Sequence, residues 1–411
     1  MSPAPSISTE EYLARRERLQ ALLRELDTAQ FVATQAESIY YLCGATYEAL
    51  ERPFFLILPA RGPVRMVLPE LEREHLRKAR GIGPDALHCY RDYPAPSGQC
   101  WQSVLAEHGG LTRGFLYEAG CPARVADWLR DQGGRPGEPV EQLRLVKSPT
   151  EIALIRRAAH YADRGVAELF AHSYYGATVA EGFARTSQVT QAIIRETPNW
   201  DALATRVLMA SFPAPLSAMP HAVPSPGDRL LAGPHVTLVL TRVNGYAAES
   251  ERTYFTAPPT RQERQLFALM VQARRIGLGL LRPGVACAEI DAQINAFLAR
   301  EGVGSPAQRL HRCGHGFGLG NHEGPWLAEG SDDVLAAGMV VSMEPGIYLQ
   351  GVGGYRHSDT LLITEDGFEP LTHAPGLDEP LVLQRRSLRQ RVYHHLVSRA
   401  LGLEGSARQA G

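Results

Sequence analysis

The sequence predicts an α+β chain in two parts: an N-terminal α/β domain, then a larger domain whose long helices back an antiparallel sheet. Three observations carry this. Up to about residue 145 short apolar runs alternate with helix-period segments, and a glycine-rich stretch, "DQGGRPGEP" (131–139), leads into the second domain. Beyond it come helices with clear N-terminal signals, and then strands at hairpin spacing.

In chain order, "EYLARRERLQALLREL" (11–26) repeats apolar positions every three to four residues and reads as a helix. "QFVATQ" (30–35), "FFLILP" (54–59) and "VRMVLP" (64–69) read as strands. After the glycines, Ser148, Pro149 and Glu151 supply an N-cap, a first-turn proline and a capping-box acid, and Ile152, Ile155, Ala159, Ala162 and Val166 line one face. Thr178 with Glu181 starts another amphipathic helix, and two more lie at 261–281 and 287–301. "VTLVLT" (236–241), "RTYFT" (252–256), "MVVSM" (339–343) and "TLLIT" (360–364) are strands. The segment 385–411 reads as an appended basic helix with a frayed tip.

Composition narrows the function. With 44% hydrophobic and 21% charged residues the 411-residue chain buries a large core, and its formal charge of −2 offers no field that would gather nucleic acid or anionic lipid. The N-terminal stretch lacks the apolar core of a signal peptide, and no run approaches the ~18 apolar residues of a membrane helix. The expectation is a cytoplasmic protein with a small-molecule substrate and neither nucleic acid nor membrane as partner. Six scattered cysteines without a C-x-x-C pair predict reduced thiols.

The segment "HRCGHGFGLGNHEGP" (311–325) sets three histidines among glycines. Imidazoles alone do not make a metal site; oxygen or sulfur partners must come from elsewhere. The ordered motifs are "PH" (220–221), "GYAAESERTYF" (245–255), "GHGFGLGNHEGP" (314–325), "VVSMEPGIYL" (340–349) and "GGYRHSDTLLITEDG" (353–367), with "LVKSPTEI" (145–152) and "IYYLCG" (39–44) before them. Together they resemble the creatinase/aminopeptidase P (prolidase) superfamily of pita-bread enzymes. The resemblance implies a creatinase/prolidase-like domain at 1–145, a catalytic pita-bread domain at 146–384, a tail at 385–411, and a homodimer.

In the peptidases of that family two divalent metals sit between five ligands, whose positions here fall on Leu238, Glu249, His315, Glu344 and Ser358. Leucine cannot coordinate and serine offers only a neutral hydroxyl, so no metal is expected; the alternative is one ion (Mn, Co or Zn) at Glu249, His315 and Glu344. Residues matching the metal-free creatinase type imply His221, His322 and Glu344 as catalytic groups. Glu249, Glu251 and His315 would bind substrate, with Arg52 as a further contact. Paired carboxylates suit a planar cation, and a histidine titrating near neutrality can activate water and protonate a leaving nitrogen. The function expected is therefore metal-independent hydrolysis of a C–N bond in a small substrate of the amidine, guanidino or cyclic-amide kind. The rivals are a mononuclear-metal Xaa-Pro peptidase, a catalytically inactive binding module, and a cysteine hydrolase, although Cys313 itself reads as structural. Arg252 and Arg356 read as structural ion-pair partners.

Overall fold

A computed structural model of the chain describes residues 5–48, 50–91, 94–384 and 386–403. It divides into two compact units, Pro5–Leu145 and the chain from Val146 onward.

The first unit is built on a six-stranded sheet. Its middle strand Gln30–Ala33 runs antiparallel to Phe55–Pro59 and parallel to Leu116–Tyr117. Val32, Phe55, Ile57, Val67, Trp101, Tyr117 and Leu129 form the core on one side. The opening helix Thr9–Glu25 is capped by Ser8 and buries Leu19 and Leu23, but also Arg15 and Arg16. Those two arginines donate to the carbonyls of Tyr41 (3.1 Å) and Leu42 (3.0 Å) at the end of the helix Ala36–Cys43, satisfying acceptors that a helix C-terminus leaves unpaired. Periodicity alone could not show this, because arginine reads as a surface residue.

The second unit is α+β. The helix Pro149–Ala171 begins at the capping box, with Glu151 N donating to Ser148 Oγ (3.2 Å) and Ser148 N to Glu151 Oε2 (2.9 Å). It lies along the strands Pro234–Val243 and Tyr246–Glu251, tied by Thr241 Oγ1 donating to Ala158 O (2.8 Å) and Tyr246 OH donating to Glu151 Oε1 (3.0 Å). The helix expected after Thr178 is split into Val179–Phe183 and Thr186–Glu196. Helices Arg261–Leu278 and Cys287–Arg300 match the sequence reading.

The large sheet of ten strands runs, along its main path, Glu323–Leu327, Gly314–Gly316, Val340–Ser342, Ser358–Ile363, Tyr246–Glu251, Pro234–Val243, Thr253–Phe255 and Leu381–Val382. All four strands read from the sequence lie in it. A separate ribbon pairs Gly346–Leu349 with Gly353–Arg356. The appended helix is Leu388–Ala400, held by Gln390 Nε2 donating to Ala171 O (2.8 Å) and by His394 Nδ1 at 2.7 Å from Glu181 Oε1. Its frayed tip lies outside the described residues. Among the described residues no helix is long and apolar enough to cross a membrane.

Candidate active site

Local geometry brings the acids together. Asn244 and Gly245, both with positive φ (45° and 94°), turn the strand Pro234–Val243 into Tyr246–Glu251, the two-residue hairpin that Asn-Gly favours. Period two then sends Glu249 and Glu251 to one side, and both are buried. Next in the sheet, Ser358 pairs with Glu251 in register, and its hydroxyl donates to Glu249 Oε1 at 2.5 Å. Its neighbours His357 and Asp359 point elsewhere, as alternation requires: Asp359 receives Arg252 (2.8 Å) and Arg274 (2.6 Å), while His357 Nδ1 accepts from Thr253 N (3.1 Å).

His315 comes from Gly314–Gly316. A Cβ at Gly316 would stand 2.0 Å from the Gly324 carbonyl oxygen and one at Gly318 2.2 Å from Glu323 Oε1, so these glycines let the returning chain close over the histidine strand. His315 Nδ1 lies 3.1 Å from Gly316 O and donates to it, which leaves Nε2 facing the acids: 3.1 Å from Glu344 Oε1 and 3.8 Å from Glu249 Oε1. Nε2 is buried and makes no hydrogen bond. The exposed His322 packs its ring on His315, centroids 4.3 Å apart at 77°.

Charge is concentrated where water is excluded. Burial, aided by Glu344, pushes Glu249 up to about 8. The same burial acts on Glu251, up to about 7, with the Arg356 guanidinium pulling the other way. Burial disfavours a charged His315, yet Glu249 and Glu344 outweigh it and hold its pKa up at about 9. Glu344 is held below the usual carboxylate range, because His315 overcomes its burial. Burial and the charge of His315 press His322 down to about 4, so it is a neutral imidazole.

The structure gathers Glu249, Glu251, His315, His322 and Glu344. His221 sits on an exposed turn, close enough for its charge to act on His311 and His322, but without a hydrogen bond to another described residue. Arg52 belongs to the first unit, half-buried and 2.9 Å from Glu51. One expectation needs correcting. Glu251 is not open to a cationic substrate: Arg356, itself buried, sets Nε against Glu251 Oε2, so the carboxylate already has its cation. The sequence marked Arg356 as an ion-pair partner but gave no sign of which acid it meets. It also gave no sign of Tyr348, whose hydroxyl accepts from Arg356 Nη1 (3.1 Å) and lies 2.6 Å from His311 Nε2. Cys313 is fully buried, donates to Leu327 O (3.3 Å), and its thiol is pushed well up by that burial, which removes it as a nucleophile.

Two family models match the chain, the creatinase/prolidase N-terminal domain over residues 15–132 and metallopeptidase family M24 over residues 153–365. The chain belongs to metallopeptidase family M24. It is 32% identical over 374 residues to the probable dipeptidase PepE of Mycobacterium tuberculosis, covering 89% of this chain and 96% of that one. Among solved structures it resembles dipeptidase PepE from Mycobacterium ulcerans (TM-score 0.78, 29% identity, 92% of this chain and 100% of that one). In fold it also matches the prolidase from Thermococcus sibiricus (TM-score 0.77, 24% identity, 92% and 99%). The M24 assignment makes the second unit a pita-bread domain and the chain a hydrolase acting on C–N bonds.

M24 membership implies divalent metal, and the residues present fit one ion. Glu249, His315 and His322 each offer a ligand atom, all within 4.8 Å of one another, with Glu344 beside His315. With Nδ1–H given to Gly316 O, Nε2 is the ring atom that could coordinate, in exchange for the proton that Glu249 and Glu344 otherwise hold on the imidazole. A second ion does not fit. Leu238, half-buried, has no donor atom, and the Ser358 hydroxyl is already given to Glu249.

Proposed function

We propose that this M24 chain is a dipeptidase-type hydrolase that cuts the C–N bond of a small peptide with one divalent ion, Mn, Co or Zn, held by Glu249, His315 and His322 with Glu344 alongside. The observation that carries it is the His315 Nε2: buried, without a hydrogen bond, and aimed between two carboxylates. When bound, the ion would polarise the scissile carbonyl and make water a better nucleophile.

The chain's own residues do the rest. Glu344, kept ionised by His315, balances the site's positive charge, and the hydroxyl of Ser358 holds Glu249 in place. Leu238 and Leu240, both half-buried on one face of their strand, give the substrate side chain an apolar wall. His221, on its exposed turn, exchanges protons with solvent and delivers one to the leaving amine. The acting unit is read as a cytoplasmic homodimer, in line with the family resemblance.

Neither cationic amidines nor guanidino compounds remain the preferred substrates, since Arg356 takes Glu251. The testing experiment is hydrolysis of a panel of Xaa-Pro and other dipeptides by protein stripped with chelator and reloaded with Mn, Co or Zn. Cleavage restored by one of these ions supports the reading. Cleavage of no dipeptide under any loading sinks it.

A further inference from the structure

Several cations around the acids already have their counter-charge. Arg356 meets Glu251, Arg252 and Arg274 meet Asp359, and the buried Lys147 places Nζ 3.1 Å from Glu323 Oε1. Arg312 differs. Among the described residues no carboxylate pairs with its guanidinium, Nη1 and Nη2 make no hydrogen bond, and Nε is buried without one. Donors that lose water on burial and gain no acceptor are costly, so a half-buried arginine of this kind needs a reason.

The group is nevertheless held in place. Its backbone is tied on both sides, by His311 Nδ1 donating to Arg312 O (2.7 Å) and Cys313 N donating to Asp291 Oδ1 (3.1 Å). The guanidinium carbon lies 4.3 Å from the ring centroid of Trp326, so the indole covers one face of the planar fork and leaves the Nη edge for an acceptor. Trp326 pairs in register with His315, which sends both side chains to one face of their strands, and His315 carries the ring of His322 at 4.3 Å. The charge of Arg312 reaches His322. An unneutralised guanidinium therefore stands at the rim of the site, beside the two histidines that could hold the ion.

We propose that Arg312 anchors the C-terminal carboxylate of the peptide, with Trp326 holding its fork ready for that contact. The identity of the substrate rests on the dipeptidase reading of the proposed function; the anchor rests on Arg312 and its surroundings. Charge sets the direction of binding. Glu249 and Glu344, facing His315, repel a carboxylate and attract an amine, so a peptide seated beside them turns its amino end inward and its carboxylate to the rim. There two N–H groups of the fork match two oxygens. A third residue would set a neutral amide against the guanidinium and carry its own carboxylate past it, so Arg312 selects substrates of two residues.

The experiment measures kcat and KM of Mn²⁺-loaded wild type, Arg312→Gln and Arg312→Lys on alanyl-proline and alanyl-leucine, each beside its C-terminal amide. Wild type is expected to prefer the acid to the amide by about 10–100-fold in kcat/KM, the range of a charge-assisted pair. Arg312→Gln should lose that preference by weakening the acid alone, chiefly in KM, and Arg312→Lys should keep part of it. A wild type that treats acid and amide alike overturns the proposal without any variant. Equal losses on acid and amide in Arg312→Gln overturn it too, because they mark a structural role. If wild type cleaves neither dipeptide, the reading of function loses its support, and calorimetric binding of alanyl-proline and its amide to chelator-stripped protein decides the anchor separately. A wild-type preference for the acid that Arg312→Gln abolishes supports it; equal binding of the two, or none, overturns it.

Discussion

Ser358 Oγ donates to Glu249 Oε1 at 2.5 Å, joining neighbouring strands inside a buried cluster of acids. At the position where the family resemblance places a carboxylate ligand, this chain has a hydrogen-bond donor instead. Ser358→Ala removes that donor and leaves Glu249 buried with less solvation, which costs about 1–3 kcal/mol. Oε1 is then open to an ion, so added Mn²⁺ should recover more stability in the variant than in wild type. Thermal unfolding with and without Mn²⁺ checks both statements; an equally stable metal-free variant would show that the bond contributes nothing.

Gly316→Ala tests the close approach that positions His315. The added carbon would meet the Gly324 carbonyl oxygen at 2.0 Å, and backbone cannot rotate aside as a side chain can. We expect a loss of at least the ~1–3 kcal/mol typical of overpacked sites, together with weaker ion binding. Unfolding by denaturant and ion titration measure the two effects. A variant as stable as wild type would mean that the strand Gly314–Gly316 is free to shift.

Sequence and structure agree where local rules govern. Ser148 and Glu151 announce the first helix of the second unit, and the apolar strands at 236–241, 339–343 and 360–364 carry enough β-branched and aliphatic residues to be read unaided. Glu249, His315 and Glu344 were legible because their motifs have characteristic neighbours. Partnership across long separations could not be read. Glu251 and Arg356 are 105 positions apart, and only the sheet register brings them together, so Glu251 looked like an open substrate contact. Arg15 and Arg16 misled in the opposite sense, since two arginines buried to finish a helix leave no periodic trace.

Acid should weaken the fold through a group outside the site. His235 is fully buried; its Nδ1 accepts from Ala214 N (3.0 Å), its Nε2 faces Leu231 O (3.1 Å), and burial presses its pKa down to about 4. A folded-state pKa below the unfolded value favours the neutral folded form, so the stabilisation is present above about pH 6.5 and is lost as pH falls towards 4, by about 3 kcal/mol in all. His235→Gln should be less stable at neutral pH yet lose less over the same range. Parallel slopes for the two proteins in denaturant titrations at several pH values would count against this.

His221 is exposed on its turn, so its replacement should alter chemistry rather than folding. His221→Ala is expected to lower turnover by about 10²–10⁴, the usual cost of a lost general acid, with an unchanged unfolding temperature. Steady-state kinetics on a dipeptide substrate decide it; turnover within about twofold of wild type would assign proton delivery to another group.

In the proposed function one ion, held by Glu249, His315 and His322, serves C–N bond hydrolysis. The most direct measurement is a titration of chelator-stripped wild-type protein with Mn²⁺ that tracks bound metal and dipeptide cleavage in the same samples. Cleavage is expected to start near zero, rise in step with binding, and level off at one ion per chain. Full cleavage by the metal-free protein, or cleavage that appears only as a second ion binds, would contradict it.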